Sequence, residues 1–151
     1  MSKYLDEYQV GEKYVTSART VTEADVVNFA CTTGDMHPNH TDAARMAKSQ
    51  FGKRIAHGLL GIAWAHGLLY RLDLITDSAI AFLEIEDWKF KAPIFFGDTL
   101  HAEITVQEII FSKSKQDRGI LKLHFDLKNQ DGVVCQSGVK SIMMKRKPDG
   151  E

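Results

Sequence analysis

Cysteine is scarce in this 151-residue chain, which holds only Cys31 and Cys135. Two lone cysteines far apart form neither a disulfide framework nor the paired set of a structural zinc site. They suit a reducing compartment. Net charge is also nearly absent, at -1, so no global field recruits nucleic acid or an anionic membrane. No apolar run is long enough to span a bilayer. The longest, Gly58 to Tyr70, is interrupted by His66 and falls short of the roughly 20 residues a span needs. The N-terminal stretch is polar and carries no apolar signal segment. Together these absences predict a soluble cytoplasmic protein with no membrane or nucleic-acid partner. Missing too are a Gly-x-Ser-x-Gly elbow, a Gly-x-Gly-x-x-Gly turn and a P-loop, which argues against a serine hydrolase and a nucleotide cofactor.

What is present suits one domain over residues 1–151. Hydrophobic residues make up 44% and charged residues 26%, enough for a core that needs no metal or disulfide staple. The basic end Lys145-Arg146-Lys147 reads as solvated and frayed. Lys13 to Thr20 is β-prone and short, a candidate edge strand. Thr22 followed by Asp25 is a capping-box variant, and Val26, Val27, Phe29 and Ala30 follow at helical spacing. A helix is predicted from about Glu23 to Thr33, stopping at Gly34. Residues 34–42 read as a loop stiffened by Pro38. Thr41 can cap a short helix over roughly Asp42 to Ser49.

Residues 55–70 are apolar on nearly every face, the mark of a buried helix. From Ala79 onward the period changes to two. Leu100, Ala102, Ile104 and Val106 alternate with polar residues, as do Leu121, Leu123, Phe125 and Leu127. Asp131-Gly132 is a hairpin turn leading into Val133 to Met144. One-sided strands need a cover, and the apolar helix is the obvious one. The prediction is α+β: an antiparallel meander of about four strands, curved around a long central helix.

Chemistry concentrates in the loop, where Asp35, His37 and His40 fall within six residues. A carboxylate and an imidazole held rigidly together suit proton transfer to or from carbon. His57-Gly58 opens the apolar helix, whose first N–H groups have no intrahelical acceptor and carry the positive end of the dipole. Gly58 lets a ligand approach that backbone closely. From spacing alone each residue has a plainer reading. Asp35 also fits a turn, His40 a helix-entry packing residue, Gly58 close helix packing, His37 the surface and His66 a core histidine. No metal site is expected, because Pro38 keeps His37 and His40 off one helical face and no further ligands show metal spacing.

Three segments carry a resemblance to a known family. They are Gly34-Asp35-Met36-His37-Pro38-Asn39-His40-Thr41-Asp42, Ile55-Ala56-His57-Gly58-Leu59-Leu60, and Phe90-Lys91-Ala92-Pro93-Ile94-Phe95-Phe96-Gly97-Asp98-Thr99-Leu100. In order and spacing, over about residues 8–145, they resemble the MaoC-like dehydratases, including (R)-specific enoyl-CoA hydratases. The resemblance implies a hot-dog fold and a homodimer or larger homo-oligomer. It implies a lyase that adds or removes water across the double bond of an enoyl thioester, with no cofactor beyond the substrate's own CoA or pantetheine arm. By motif position Asp35 and His40 are the catalytic pair and Gly58 supplies the oxyanion-binding N–H. His57, His37 and His66 join it in binding substrate. His37 stands where many members have Asn. His66 stands where some have a serine facing the carboxylate. Trp64, Leu68, Phe82 and Trp88 are candidates to line the acyl tunnel, and Lys48, Lys53 and Arg54 to meet the carrier. An acyl-CoA thioesterase on the same scaffold and a non-catalytic acyl-CoA-binding or regulatory protein remain alternatives.

Overall fold

The structure, a computed structural model, describes residues 2–148. The expected domain also takes in Met1 and residues 149–151, which lie outside the described residues. Strands β1 (Lys13–Val15) and β2 (Arg19–Thr20) precede helix α1 (Glu23–Thr33), two short helices α2 (Pro38–Thr41) and α3 (Ala43–Met46), and helix α4 (Gly58–Tyr70). Four long strands follow: β3 (Ala79–Phe90), β4 (Thr99–Phe111), β5 (Arg118–Lys128) and β6 (Val134–Lys145).

The sequence signals act where expected around α1. The Thr22 side chain accepts a hydrogen bond from the Asp25 N–H, Asp25 reaches back to the Thr22 N–H, and the helix ends on Gly34 at φ +77°. The clean alternation in β5 is also realised. Leu121, Leu123, Phe125 and Leu127 are all fully buried, packed in one cluster with Leu60, Leu68 and Leu69 of α4. The sheet is antiparallel and wraps this helix.

Several details differ from the sequence reading. The sheet runs in the order β1-β4-β5-β6-β3, so it is not a simple meander. β3 pairs with β6 rather than with its sequence neighbour β4, which among the described residues leaves β3 with one free edge. The candidate strand at Lys13 to Thr20 is two short strands, both hydrogen-bonded to β4.

The loop after Gly34 contains a helical turn. Pro38 takes the first helical position of α2, where its missing N–H costs nothing. The next cap is Asp42, which accepts from the Arg45 N–H, and α3 stops at Met46. Nor is α4 buried all round, since Leu59 and Tyr70 are each about 60% exposed. With a sheet on only one side, the opposite face of the helix stays uncovered. Finally, the basic C-terminal end is not frayed. Arg146 Nε donates to Asp6 Oδ1 at 2.9 Å and the Lys147 N–H to Asp6 Oδ2 at 2.9 Å. Among the described residues no helix is long and apolar enough to cross a membrane.

Candidate active site

The start of α4 is fixed from below by the third motif. Gly97 turns the chain at φ +90°. Asp98, almost buried, accepts the Phe95 N–H on one carboxylate oxygen (2.8 Å) and Gln130 Nε2 on the other (3.0 Å). That clasp holds residues 94–95 as a short rail. Ile55 bridges to Phe95 and the Ala56 N–H donates to the Ile94 carbonyl at 2.7 Å. The chain is therefore rigid where it turns into Gly58.

The Asp35–His40 segment is braced against the same rail. The Ile55 N–H donates to the Asn39 carbonyl (3.1 Å), and His40 Nδ1 lies 2.7 Å from the Ile55 carbonyl. A carbonyl oxygen only accepts, so Nδ1 carries the proton and His40 Nε2 is a bare lone pair. His57 is almost wholly buried. Its Nε2–H donates to the Asp35 main-chain carbonyl at 2.9 Å, and its ring stacks on His40 with centroids 3.7 Å apart. Asp35 presents its carboxylate at the surface, with Oδ1 accepting the His37 N–H at 3.2 Å. Asp35, His40 and His57 each offer an atom within 4.8 Å of the others.

Burial holds the His40 imidazole below its ordinary value near 6.5, and the adjacent His57 adds to that, against an opposing pull from the Ile55 carbonyl. The ring is neutral at pH 7, as a base must be. Two histidines and a carboxylate are also a ligand set for a divalent ion. The geometry does not fit one. A ligated ion sits near the plane of each imidazole, roughly 2.0–2.1 Å from its nitrogen. The two ring planes here are stacked and inclined by only 26°, so they do not meet at that distance.

Gly58 is the first residue of α4, and a Cβ there would press on the Phe90 ring at 2.8 Å. His37 is exposed and caps α2, its Nδ1 accepting the Asn39 N–H at 3.2 Å. His57 serves as a brace under the pair. His66 lies two turns along α4, against the Phe82 ring (centroids 5.0 Å), and no contact among the described residues links it to Asp35. Trp64 sits beneath the Arg19 guanidinium (3.8 Å to its ring), lining a small cavity with Leu68, apart from Phe82 and Trp88. Arg54 is engaged by Glu23 at 2.6 and 2.9 Å.

One residue escaped sequence reasoning. Lys140 is buried on β6 and faces the core. The signal was available, since Lys140 shares its strand parity with Ile142 and Met144, both buried.

A curved antiparallel sheet around one helix, with an Asp–His pair at that helix's entrance, defines a hot-dog-fold protein. The chain belongs to the MaoC like domain family, whose family model matches residues 7–124. It is 41% identical over 103 residues to Protein MaoC of Klebsiella aerogenes, covering 68% of this chain but 30% of that protein. The chain thus spans under a third of that relative's length. The (R)-specific enoyl-CoA hydratase of Aeromonas caviae is 30% identical over 130 residues, covering 86% of this chain and 90% of the relative. Among solved structures, the monoamine oxidase regulatory protein from Archaeoglobus superposes with a TM-score of 0.90 at 34% identity, covering 97% of each chain.

Proposed function

We propose that this protein hydrates the double bond of an enoyl thioester to the (R)-3-hydroxyacyl thioester, or runs the reverse dehydration. The observation that carries the reading is the Asp35–His40 pair, whose donor atoms lie within 4.8 Å beside the open N-terminus of α4. One water sits between the Asp35 carboxylate and the bare Nε2 of His40. The pair removes a proton from it as its oxygen adds to the β-carbon. That proton passes to the α-carbon on the same face, so the water is added in full and the enzyme ends unchanged. Negative charge that builds on the thioester oxygen meets the Gly58 N–H, which has no intrahelical acceptor and lies at the positive helix end. The scheme uses no group beyond the thioester's own CoA or pantetheine arm. The (R) product is supported by the relative of that name in Aeromonas caviae.

The working unit in this proposal is a homodimer. β3 is twelve residues long and, among the described residues, has β6 as its only partner, and Ile80, Phe82, Leu83, Ile85 and Phe90 on it are all exposed. A long apolar edge of this kind pairs with another strand, and a second copy offers a matching one.

The test follows the absorbance of crotonyl-CoA and of longer enoyl-CoAs, with a thiol reagent in a parallel cuvette. Loss of the conjugated thioester without thiol release is expected. Thiol release would instead indicate a thioesterase. Saturable binding with no turnover of any enoyl thioester would indicate a binding protein.

A further inference from the structure

Helix α4 and strand β3 lie against each other in opposite directions. Phe90 is beside Gly58 at one end and Phe82 is beside His66 at the other. Both phenylalanines are about half exposed, so the seam between helix and strand faces outward at its two ends. Gly58, where the thioester carbonyl would rest, is its head.

Lys140 forms the floor of this seam. It pairs with Ile85 of β3 and points at α4, only 1% exposed. Its ammonium donates to the Ile62 carbonyl at 2.7 Å. Around it are the ring faces of Trp88 (5.0 Å), Phe125 (5.1 Å) and Phe82 (6.0 Å). No carboxylate among the described residues is paired with it. An ammonium has three N–H donors, and the one carbonyl here takes one of them. Beside it, His66 has a buried Nδ1 with no hydrogen-bond partner. Burial, and then the charge of Lys140, hold His66 below its ordinary value. Burial lowers Lys140 to about 8, which leaves it still mostly charged at neutral pH. A buried cation without an acid is costly, and aromatic faces offset only part of that cost. A buried cation and an unpartnered imidazole nitrogen, both near the Phe82 ring, suit an anion that no carboxylate among the described residues supplies.

We propose that Lys140, with His66 beside it, forms the distal end of the acyl site and selects a thioester whose acyl group ends in a carboxylate. This rests on the thioester reading above. The spacing sets the length. Ile62 is one turn beyond Gly58, roughly 6 Å along the helix, which an acyl chain of about five carbons spans. The distal carboxylate then accepts from the Lys140 ammonium and from His66. Phe82, about half exposed, moves aside to admit it. A plain alkyl chain of the same length would leave the ammonium unpaired.

The test is calorimetric binding of two unreactive saturated thioesters, glutaryl-CoA and valeryl-CoA, to the full chain. Both have five acyl carbons, and only the first ends in a carboxylate. The wild-type protein is expected to bind glutaryl-CoA about tenfold or more tightly, the scale of one charge-assisted hydrogen bond. In Lys140→Met the ratio falls to about one, and Lys140→Gln serves as the second variant should the first fail to fold. Equal affinities in the wild-type protein, binding of neither ligand, or a preference that survives both substitutions would overturn the proposal. Neither ligand has a double bond, so the result is independent of turnover. Hydration of crotonyl-CoA without a glutaryl preference removes this inference and leaves the proposed function. A glutaryl preference without hydration of any enoyl thioester does the reverse.

Discussion

The imidazoles of His40 and His57 stack with centroids 3.7 Å apart, and each ring gives its single N–H to a main-chain carbonyl. His40 is tied to Ile55 and His57 to Asp35. The second tie connects the two halves of the pair, because the residue under His40 also holds the backbone of Asp35. In the proposed reaction the pair acts directly and His57 positions it.

Replacing Asp35 with Asn or His40 with Gln is expected to lower kcat for an enoyl-CoA by about 10²–10⁴-fold, the usual size of lost acid–base catalysis. Melting temperatures should change little, since Asp35 is exposed and His40 half-buried. Near-normal turnover in either folded variant would remove the assigned roles.

His57→Phe keeps the stack and removes the N–H that holds the Asp35 carbonyl. It should lower kcat by about tenfold or more with a smaller change in KM, as displacement of a catalytic group does. Steady-state kinetics on the variant separate the two effects. A change confined to KM would place His57 against the substrate instead.

Gly58→Ala is a test with the sign divided between stability and function. The added methyl meets the far end of Phe90, an exposed ring with room to give. Alanine is the better helix residue by about 1 kcal/mol. The melting temperature should hold or rise slightly while kcat/KM falls, since the methyl crowds the proposed carbonyl site. An unchanged kcat/KM would remove Gly58 from that role.

Acid should affect activity later than an ordinary histidine would. His40 must be neutral to act, and burial sets its folded value below 6.5. The acid limb of kcat/KM should therefore have its midpoint below pH 6.5. Stability follows the same sign. The folded values of His40 and His66 are both depressed, so the unfolded chain binds more protons near pH 6. The associated stability is present above about pH 6.5 and is lost as pH falls through the folded values. Chemical denaturation between pH 7.5 and 5 measures it, and a midpoint that rises on acidification would contradict the assignment.

Ile85→Glu places a charge on the free edge of β3 and should convert a dimer to a monomer in sedimentation. Wild-type protein that already sediments as a monomer would end the dimer proposal.

Much of this could be read from the residues in order. The Thr22–Asp25 cap and the β5 alternation are local signals, and each determines its own element. The order β1-β4-β5-β6-β3 is not local, since nothing in Ala79 to Phe90 names Val134 to Lys145 as its partner. For the site, spacing brought Asp35 and His40 together, while the motif resemblance gave them a role. The tautomer of His40 was beyond the sequence, because it depends on the Ile55 carbonyl fifteen residues away. The turn at Pro38 is hidden in the sequence because proline both ends helices and begins them.

The pairing of β3 with β6 bears on how the chain reaches its native state. Among the described residues, β3 is the first long strand to be made and its only sheet partner is the last. Contacts so distant along the chain are slow to form. During synthesis, Phe82, Leu83 and Ile85 have no strand beside them until β6, ending at Lys145, has left the ribosome. That interval, rather than the finished molecule, is when this protein is most exposed to misassembly, and a chaperone that shields β3 would act there.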